Sequence, residues 1–402
     1  MVLSLVGAGV TNAEGRSDGT HSANSHPILV GADLSLTGDF ATTGVPYSQG
    51  YKLWAKNVNA GGGLLGRKVA VTVLSDASTQ AEVTTNYEKL ISISHATLLF
   101  GPVTTLFTVP AAKEALRFGY ALVEGAGGGP IVFNSGLTNV FDTGQPVADA
   151  VVPYAKYLAA LPKAIRPKTA AYATENTPFD VPETEGAKQI MQAAGIRTVY
   201  DKTFPTEVAD YTPIADQIAA SHATAVILGA GDLSVLSPFI HSFIQEGYNP
   251  KALYSANAVS PPTFPGPIGG AHNANGIATT AGWWSGYSNP MSRAFVSSYV
   301  KTYGGTAANV APGAAEGYSV GEVVQAAVEA THSTNNAKII RWLHSGKTIQ
   351  TVLGPVKFNS KGENTTATAF IFQWVNGHYI AVIPRQPGGP SLLYPKPSWG
   401  KG

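Results

Sequence analysis

This chain of 402 residues contains no cysteine. Within this chain, that excludes disulfides, thiolate metal sites, cysteine nucleophiles and a lipid-attachment cysteine. It leaves the redox compartment open, because an exported protein can do without cysteine. Charge is sparse, at 13% Asp, Glu, Lys and Arg, and nearly balanced at +1. No global field attracts nucleic acid or an anionic membrane, and the scattered basic residues form no patch. No run approaches the roughly 18 continuous apolar residues of a membrane helix. The nine histidines show no metal-ligand spacing, so no metal is expected. Nucleotide fingerprints are missing too. Gly125 to Gly129 follows an apolar run, but Pro130 breaks the G-x-G-x-x-G spacing. Gly229 to Ser234 fails the same test, and Val6 to Gly9 meets Asn12 where a third Gly is required. There is no Walker A lysine motif, and no cofactor is expected.

What is present supports a large core, with 44% hydrophobic residues. Met1 to Val10 is apolar, and Thr11 to Ala13 carries the small residues of a cleavage site. No positive charge precedes that run, and it is short for a signal peptide. It reads as a signal remnant or mis-set start, or as a leader foreign to the protein. Residues 14–26 are polar and read as a disordered leader, and 1–26 are set apart as a disordered leader or signal remnant.

From Ile28 onward, short apolar runs alternate with helical patterns. Strands are expected at 28–34, 69–74, 97–101, 120–124, 168–173, 197–200, 224–229, 252–255 and 276–280. This alternation implies parallel sheets with helices on both faces. Thr79 to Glu82 has the spacing of a capping box, and Val83, Tyr87, Leu90 and Ile91 form one buried helix face. Asn289-Pro290 opens a helix that Gly304-Gly305 stops. Composition breaks at Asp142 to Pro146 and again around Thr279 to Trp284. Two α/β lobes follow from these breaks, the first ending near 146 and the second near 278. Helices at 290–303, 313–331 and 336–345 then return the chain to the first lobe. Ala369 to Trp374 and His378 to Val382 read as a hairpin about Val375 to Gly377.

Four segments, in this order, carry a family resemblance. They are LTGDFATTG (36–44), NAGGGLLGRKV (59–69), GPVTTLFTVPAA (101–112) and GPVKFNSKGEN (354–364). Over residues 27–385 the chain resembles the leucine/isoleucine/valine-type periplasmic binding proteins, which deliver solutes to ABC importers. The resemblance implies two doubly wound α/β lobes joined by a multi-strand hinge, the type I periplasmic-binding-protein fold. It also implies lobes made of 27–146 with 279–350, and of 147–278 with 351–385, before a tail at 386–402. The expected protein is a non-enzymatic, extracytoplasmic monomer that binds a small solute by hinge closure and docks on a membrane permease.

Candidate site residues come from loops at strand ends. Thr104 and Thr105 follow the run Leu98 to Phe100, at a helix start where N–H groups and the helix dipole favour a carboxylate. They also read as a simple helix cap, and both roles can hold. The resemblance assigns Thr105, with Thr104 beside it, to a ligand carboxylate and Thr43 to a first-loop contact. It places Phe179 over the ligand. Two departures concern the ligand ammonium. The loop Glu124-Gly125-Ala126-Gly127-Gly128 has Gly128 where the family has Thr, and Asn257 stands where the family often has an acid. Asp232 and Glu124 are the substitute charge partners. These departures point toward an amide, a urea-like solute, an aromatic acid or another less zwitterionic ligand, and the three glycines suggest room for a larger one. Trp283 reads equally as a cleft aromatic or as core. Two other readings remain at this point. One is a ligand-sensing regulatory module of the same fold. The other is an α/β hydrolase using Ser319, because Gly317 to Gly321 spells the G-x-S-x-G elbow without a strand before it.

Overall fold

The computed structural model describes residues 26–256, 259 and 264–400. The proposed site residue Asn257 and the leader at 1–25 lie outside them. The first unit is built from β1 (Ile28–Leu34), α1 (Ala41–Ala60), β2 (Val69–Ser75), α2 (Gln80–Ser92), β3 (Leu98–Phe100), α3 (Thr105–Arg117), β4 (Leu122–Glu124), α4 (Pro130–Phe133) and β5 (Val140–Asp142). Its five strands are all parallel, in the order β2-β1-β3-β4-β5. The central strands are apolar on both faces because helices cover both. The helix α1 ends at three glycines, two of which take left-handed backbone (Gly62 φ 104°, Gly63 φ 89°). A side chain on Gly63 would also collide with the backbone of Arg67.

The second unit follows as α5 (Val152–Ala160), β6 (Thr169–Glu175), α6 (Asp180–Ala193), β7 (Arg197–Phe204), α7 (Thr212–Ala220), β8 (Ala225–Gly229), α8 (Leu233–Gln245), β9 (Ala252–Ser255), α9 (Ala271–Ala274) and β10 (Ile277–Ala281). The chain then returns through α10 (Pro290–Tyr303), α11 (Pro312–Thr331), α12 (Asn336–Leu343), β11 (Ile349–Thr351) and β12 (Gly354–Val356). It finishes with the hairpin β13 (Phe370–Val375) and β14 (His378–Ile383). The second sheet has seven strands, ordered β14-β13-β10-β9-β8-β6-β7, with only the hairpin antiparallel.

Helix α11 packs into the core of the first lobe, as do Ile349, Val356 and Phe358. The segment 349–358 therefore packs with the first lobe, whereas 370–383 joins the second sheet. Glycines let α11 lie tightly on α1. A side chain at Gly317 would meet the Tyr47 carbonyl at 2.7 Å, and one at Gly321 would enter the Trp54 ring. The segment expected as a single helix over 147–160 is a short 3-10 turn (Val147–Asp149) followed by α5. The capping box at Thr79 does not form, because the Thr79 hydroxyl donates to the Asp76 carbonyl instead (2.9 Å).

The residues after the hairpin strap the second lobe. Gln373 exchanges two hydrogen bonds with the backbone of Leu393. Further along, the Trp399 indole donates to the Tyr248 carbonyl (2.8 Å), and the Gly400 N–H donates to Asn273 (2.8 Å).

Candidate functional site

Three segments cross between the lobes: from β5 to α5, from β10 to α10, and from β12 to β13. The carboxyl ends of β5 and β10 lead directly into these crossings, so the strand ends of both sheets face the seam between the lobes. Open α/β sheets bind ligands at such ends. The crossings are tied to one another. Asn364 donates to the Thr143 carbonyl (2.9 Å), the Asp142 N–H donates to the Gly362 carbonyl (3.0 Å), and Gln145 donates to the Thr280 hydroxyl (3.3 Å). The Ser319 hydroxyl is fully buried, sits 2.9 Å from that of Thr143, and donates to the Glu316 carbonyl (2.7 Å). The G-x-S-x-G run is thus a packed helix that latches the hinge. It lacks the exposed turn of a nucleophile elbow.

On the first lobe, Thr105 opens α3. It is 1% exposed, and its hydroxyl has no partner. Thr104 caps the helix, its hydroxyl accepting from the Leu106 N–H (3.3 Å). The cap and an unpartnered hydroxyl therefore occupy adjacent residues. Thr43 is exposed on the first turn of α1.

Glu124 ends β4 and is fully buried. Its Oε2 accepts from the N–H groups of Ala126 (2.7 Å) and Gly127 (2.5 Å). Burial, followed by the neighbouring Asp142, raises its pKa well above the usual carboxylate range. Glu124 therefore braces its own loop. Its other oxygen, Oε1, is buried without a partner. The glycines here do not create room either. A side chain on Gly127 would strike Thr108 and Glu124. One on Gly128 would meet the Asp142 Oδ2 at 2.7 Å and the Gln145 carbonyl at 2.5 Å. One on Gly129 would strike Thr105 and meet the Pro178 carbonyl at 2.8 Å. The last contact spans the seam, because Pro178 belongs to the second lobe.

On that lobe, Phe179 is half-buried in the turn between β6 and α6. The Thr177 hydroxyl caps this turn, accepting from the Asp180 N–H (2.9 Å) and donating to Asp180 Oδ2 (2.5 Å). Asp232 caps α8 through the Ser234 N–H (2.8 Å). Trp283 is core. It is fully buried, its indole donates to Ser292 (2.8 Å), and its ring meets Phe295 edge-on. Its neighbour Trp284 turns the other way, onto Phe370 and Tyr287 at the hinge. The structure thus brings Thr105, Gly129 and the 175–180 turn together and leaves Trp283 out. Sequence reading missed Glu175, which ends β6 half-buried. Burial and the carboxylates of Asp180, Asp232 and Asp39 push its pKa up to about 7. A single Glu after an apolar run carries no motif that would have marked it.

Comparison with known proteins agrees with this architecture. A family model described as periplasmic binding protein matches residues 27–378. The Leu/Ile/Val-binding protein homolog 3 of Brucella melitensis is 23% identical over 368 residues, covering 90% of this chain and 96% of its own length. The Leu/Ile/Val-binding protein BraC3 of Rhizobium johnstonii is 23% identical over 367 residues, covering 88% of this chain and 93% of its own. Among solved structures, the branched-chain amino acid transporter substrate-binding protein LivJ from Streptococcus pneumoniae, in complex with isoleucine, superposes with a TM-score of 0.76. It is 18% identical and covers 89% of this chain and 100% of its own. A solute-binding protein of an ABC transporter from R. palustris, in complex with benzoate, gives a TM-score of 0.75 at 20% identity, covering 93% and 98%. These likenesses fix the type I bilobal fold, and the family consists of solute binders, not enzymes. With a family model spanning most of its length, the chain belongs to the periplasmic binding protein family.

Proposed function

We propose that this chain is the extracytoplasmic solute-binding component of an ABC importer. It takes a small polar or amphipathic solute, an amino acid, an amide or an aromatic acid, into the cleft between its lobes. Hinge closure then presents both lobes, as a monomer, to a membrane permease. The observation that carries this reading is Thr105. Its buried, unpartnered hydroxyl lies at the N-terminal end of α3, in the seam where the two lobes meet. A solute carboxylate there would satisfy that hydroxyl and gain from the exposed N–H groups and dipole of the helix. The family membership and the tied hinge support the same reading. The contacting residues are Thr43, Thr104, Thr105, Ala126 and Gly127 on the first lobe, with Phe179 and Asp232 on the second.

Isothermal titration against amino acids, amides and aromatic acids is the direct test. At least one class should bind, and Thr105→Ala should weaken a carboxylate-bearing ligand by about 1–3 kcal/mol, the cost of a lost charged hydrogen bond. A chain that bound none of these classes would sink the transport reading. Binding with unchanged affinity in Thr105→Ala would move the pocket elsewhere.

A further inference from the structure

The Tyr47 hydroxyl has one proton and meets two oxygens. Its Oη lies 2.8 Å from the Gly125 carbonyl and 2.7 Å from Glu316 Oε2. Both are full hydrogen-bond lengths for a pair of oxygens. A phenol donates once and can accept in return. Gly125 is buried, and among the described residues no other donor reaches its carbonyl. Leaving that carbonyl unmet would carry its desolvation cost, so the phenol proton goes to Gly125. The contact between Tyr47 and Glu316 then needs a second proton, and the Glu316 carboxyl is its source. The bonds run one way, from the Glu316 O–H to Tyr47 and from the Tyr47 O–H to the Gly125 carbonyl.

This carboxyl sits among the crossings. Tyr47 belongs to α1 and Glu316 to α11. The other oxygen, Glu316 Oε1, faces the second crossing, where a side chain on Gly282 would lie 3.2 Å from it. The Glu316 carbonyl accepts from the Ser319 hydroxyl, which touches Thr143 in the first crossing. The titratable groups around it supply no cation. Glu124 and Asp142 pair across β4 and β5 on either side of this loop. Glu363 precedes Asn364, which bonds Thr143. Tyr51 lies edge-on to Tyr47, and Tyr379 of β14 packs with Ala281, beside Gly282. Among the described residues, none of the four ion pairs includes any of these acids. Burial pushes the Glu316 carboxyl up, in the direction that the proton count requires.

We propose that Glu316 is a proton latch on the hinge: it holds a proton while the walls meet at Gly129 and Pro178 and gives it up as the lobes part, so that solute capture takes up a proton. This deepens the solute-binding reading and rests on it. Hinge motion turns the crossings. It carries Gly282 away from the carboxyl and admits water, which favours the charged form. A carboxyl with the higher pKa in the closed form strengthens binding below its open-form pKa. That gain is lost as pH rises through the closed-form value, by at most about tenfold per pH unit for one proton.

The test titrates the full chain calorimetrically with L-leucine, L-glutamine and benzoate between pH 6 and pH 8.5, in two buffers of different ionisation enthalpy. A probe that binds should do so with proton uptake, and its affinity should fall about tenfold or more across that range. Glu316→Gln puts an amide N–H where the carboxyl O–H donates to Tyr47. It should keep the affinity seen at pH 6 to within about threefold and flatten the pH profile. Glu316→Ala, which removes the titrating group altogether, should flatten the profile as well. If a probe binds without proton uptake, or if a folded variant keeps the parent's pH slope, the latch is overturned while the solute-binding reading stands. If no probe binds, both readings fall together.

Discussion

Two strand ends in this protein carry carboxylates across the same cleft, and they do opposite things. At the end of β4, Glu124 turns back into its own loop and holds two N–H groups, inside packing that admits no further side chain. At the end of β6, Glu175 stays half-buried with only other acids acting on it. Residue type and position along the strand are alike in the two cases. The difference lies in the loop that follows. After Glu124 come Ala126 and Gly127, whose N–H groups fold over the carboxylate. After Glu175, the Thr177 hydroxyl takes the capping role, which leaves Glu175 free of the backbone. The two turns differ in what caps them, the strand-end acid's own Oε2 in one and the Thr177 hydroxyl in the other.

The contrast can be broken in several ways. The largest effect is expected at Gly129, where the two walls touch. Gly129→Val drives a side chain toward Pro178 and Thr105. Overpacking of this kind costs about 1–3 kcal/mol, so titration should show solute affinity down by about ten- to a hundredfold. An unchanged affinity would mean that the lobes need not approach here. Next comes Gly128→Thr, which introduces the residue that the family resemblance implies at this position. The added atoms collide with Asp142 and Gln145 in the first crossing, and urea unfolding should register a loss of about 1–3 kcal/mol. A gain in solute binding without that loss would return Gly128 to the ligand.

Titration with pH sharpens the contrast through its sign. Burial raises inward acids above their unfolded values, with Asp33 and Glu183 both at about 8. Their contribution to stability is full below the unfolded value and is lost as pH rises through about 8. Thermal melting should therefore give a lower Tm at about pH 8 than at about pH 5.5. The smallest effect belongs to Glu124→Gln, which keeps an acceptor for the two N–H groups. Its solute affinity should stay within about twofold of the parent, because a neutral brace has lost little. A tenfold loss would reinstate Glu124 as a ligand contact.

Much of the fold was legible because its strands are continuous apolar runs between helical patterns. The face Val83, Tyr87, Leu90 and Ile91 is buried in α2, and Asn289 caps α10 through the Met291 N–H. Short elements were harder to read. Val140–Asp142 pairs with β4, but its three residues run into the composition break at Asp142 to Pro146 and were not among the expected strands. The site was half-legible. Thr105 announced itself by its place before a helix. The meaning of Gly127 to Gly129 did not, because the atoms that forbid side chains there belong to Thr108, Gln145 and Pro178, distant in sequence. For the same reason Trp283 and Trp284 could not be sorted. Adjacent in sequence, they are separated only by which partner each ring meets.

The approach of Gly129 to Pro178 has one more consequence. Where the walls touch, they touch as bare backbone on one side and a carbonyl on the other. On the proposed function, closure would end on a mechanical stop that belongs to the protein. A solute smaller than the cleft does not pull the lobes past it, and different solutes that permit it leave the same outer contour. A receptor reading that contour would learn that the cleft is filled without learning by what.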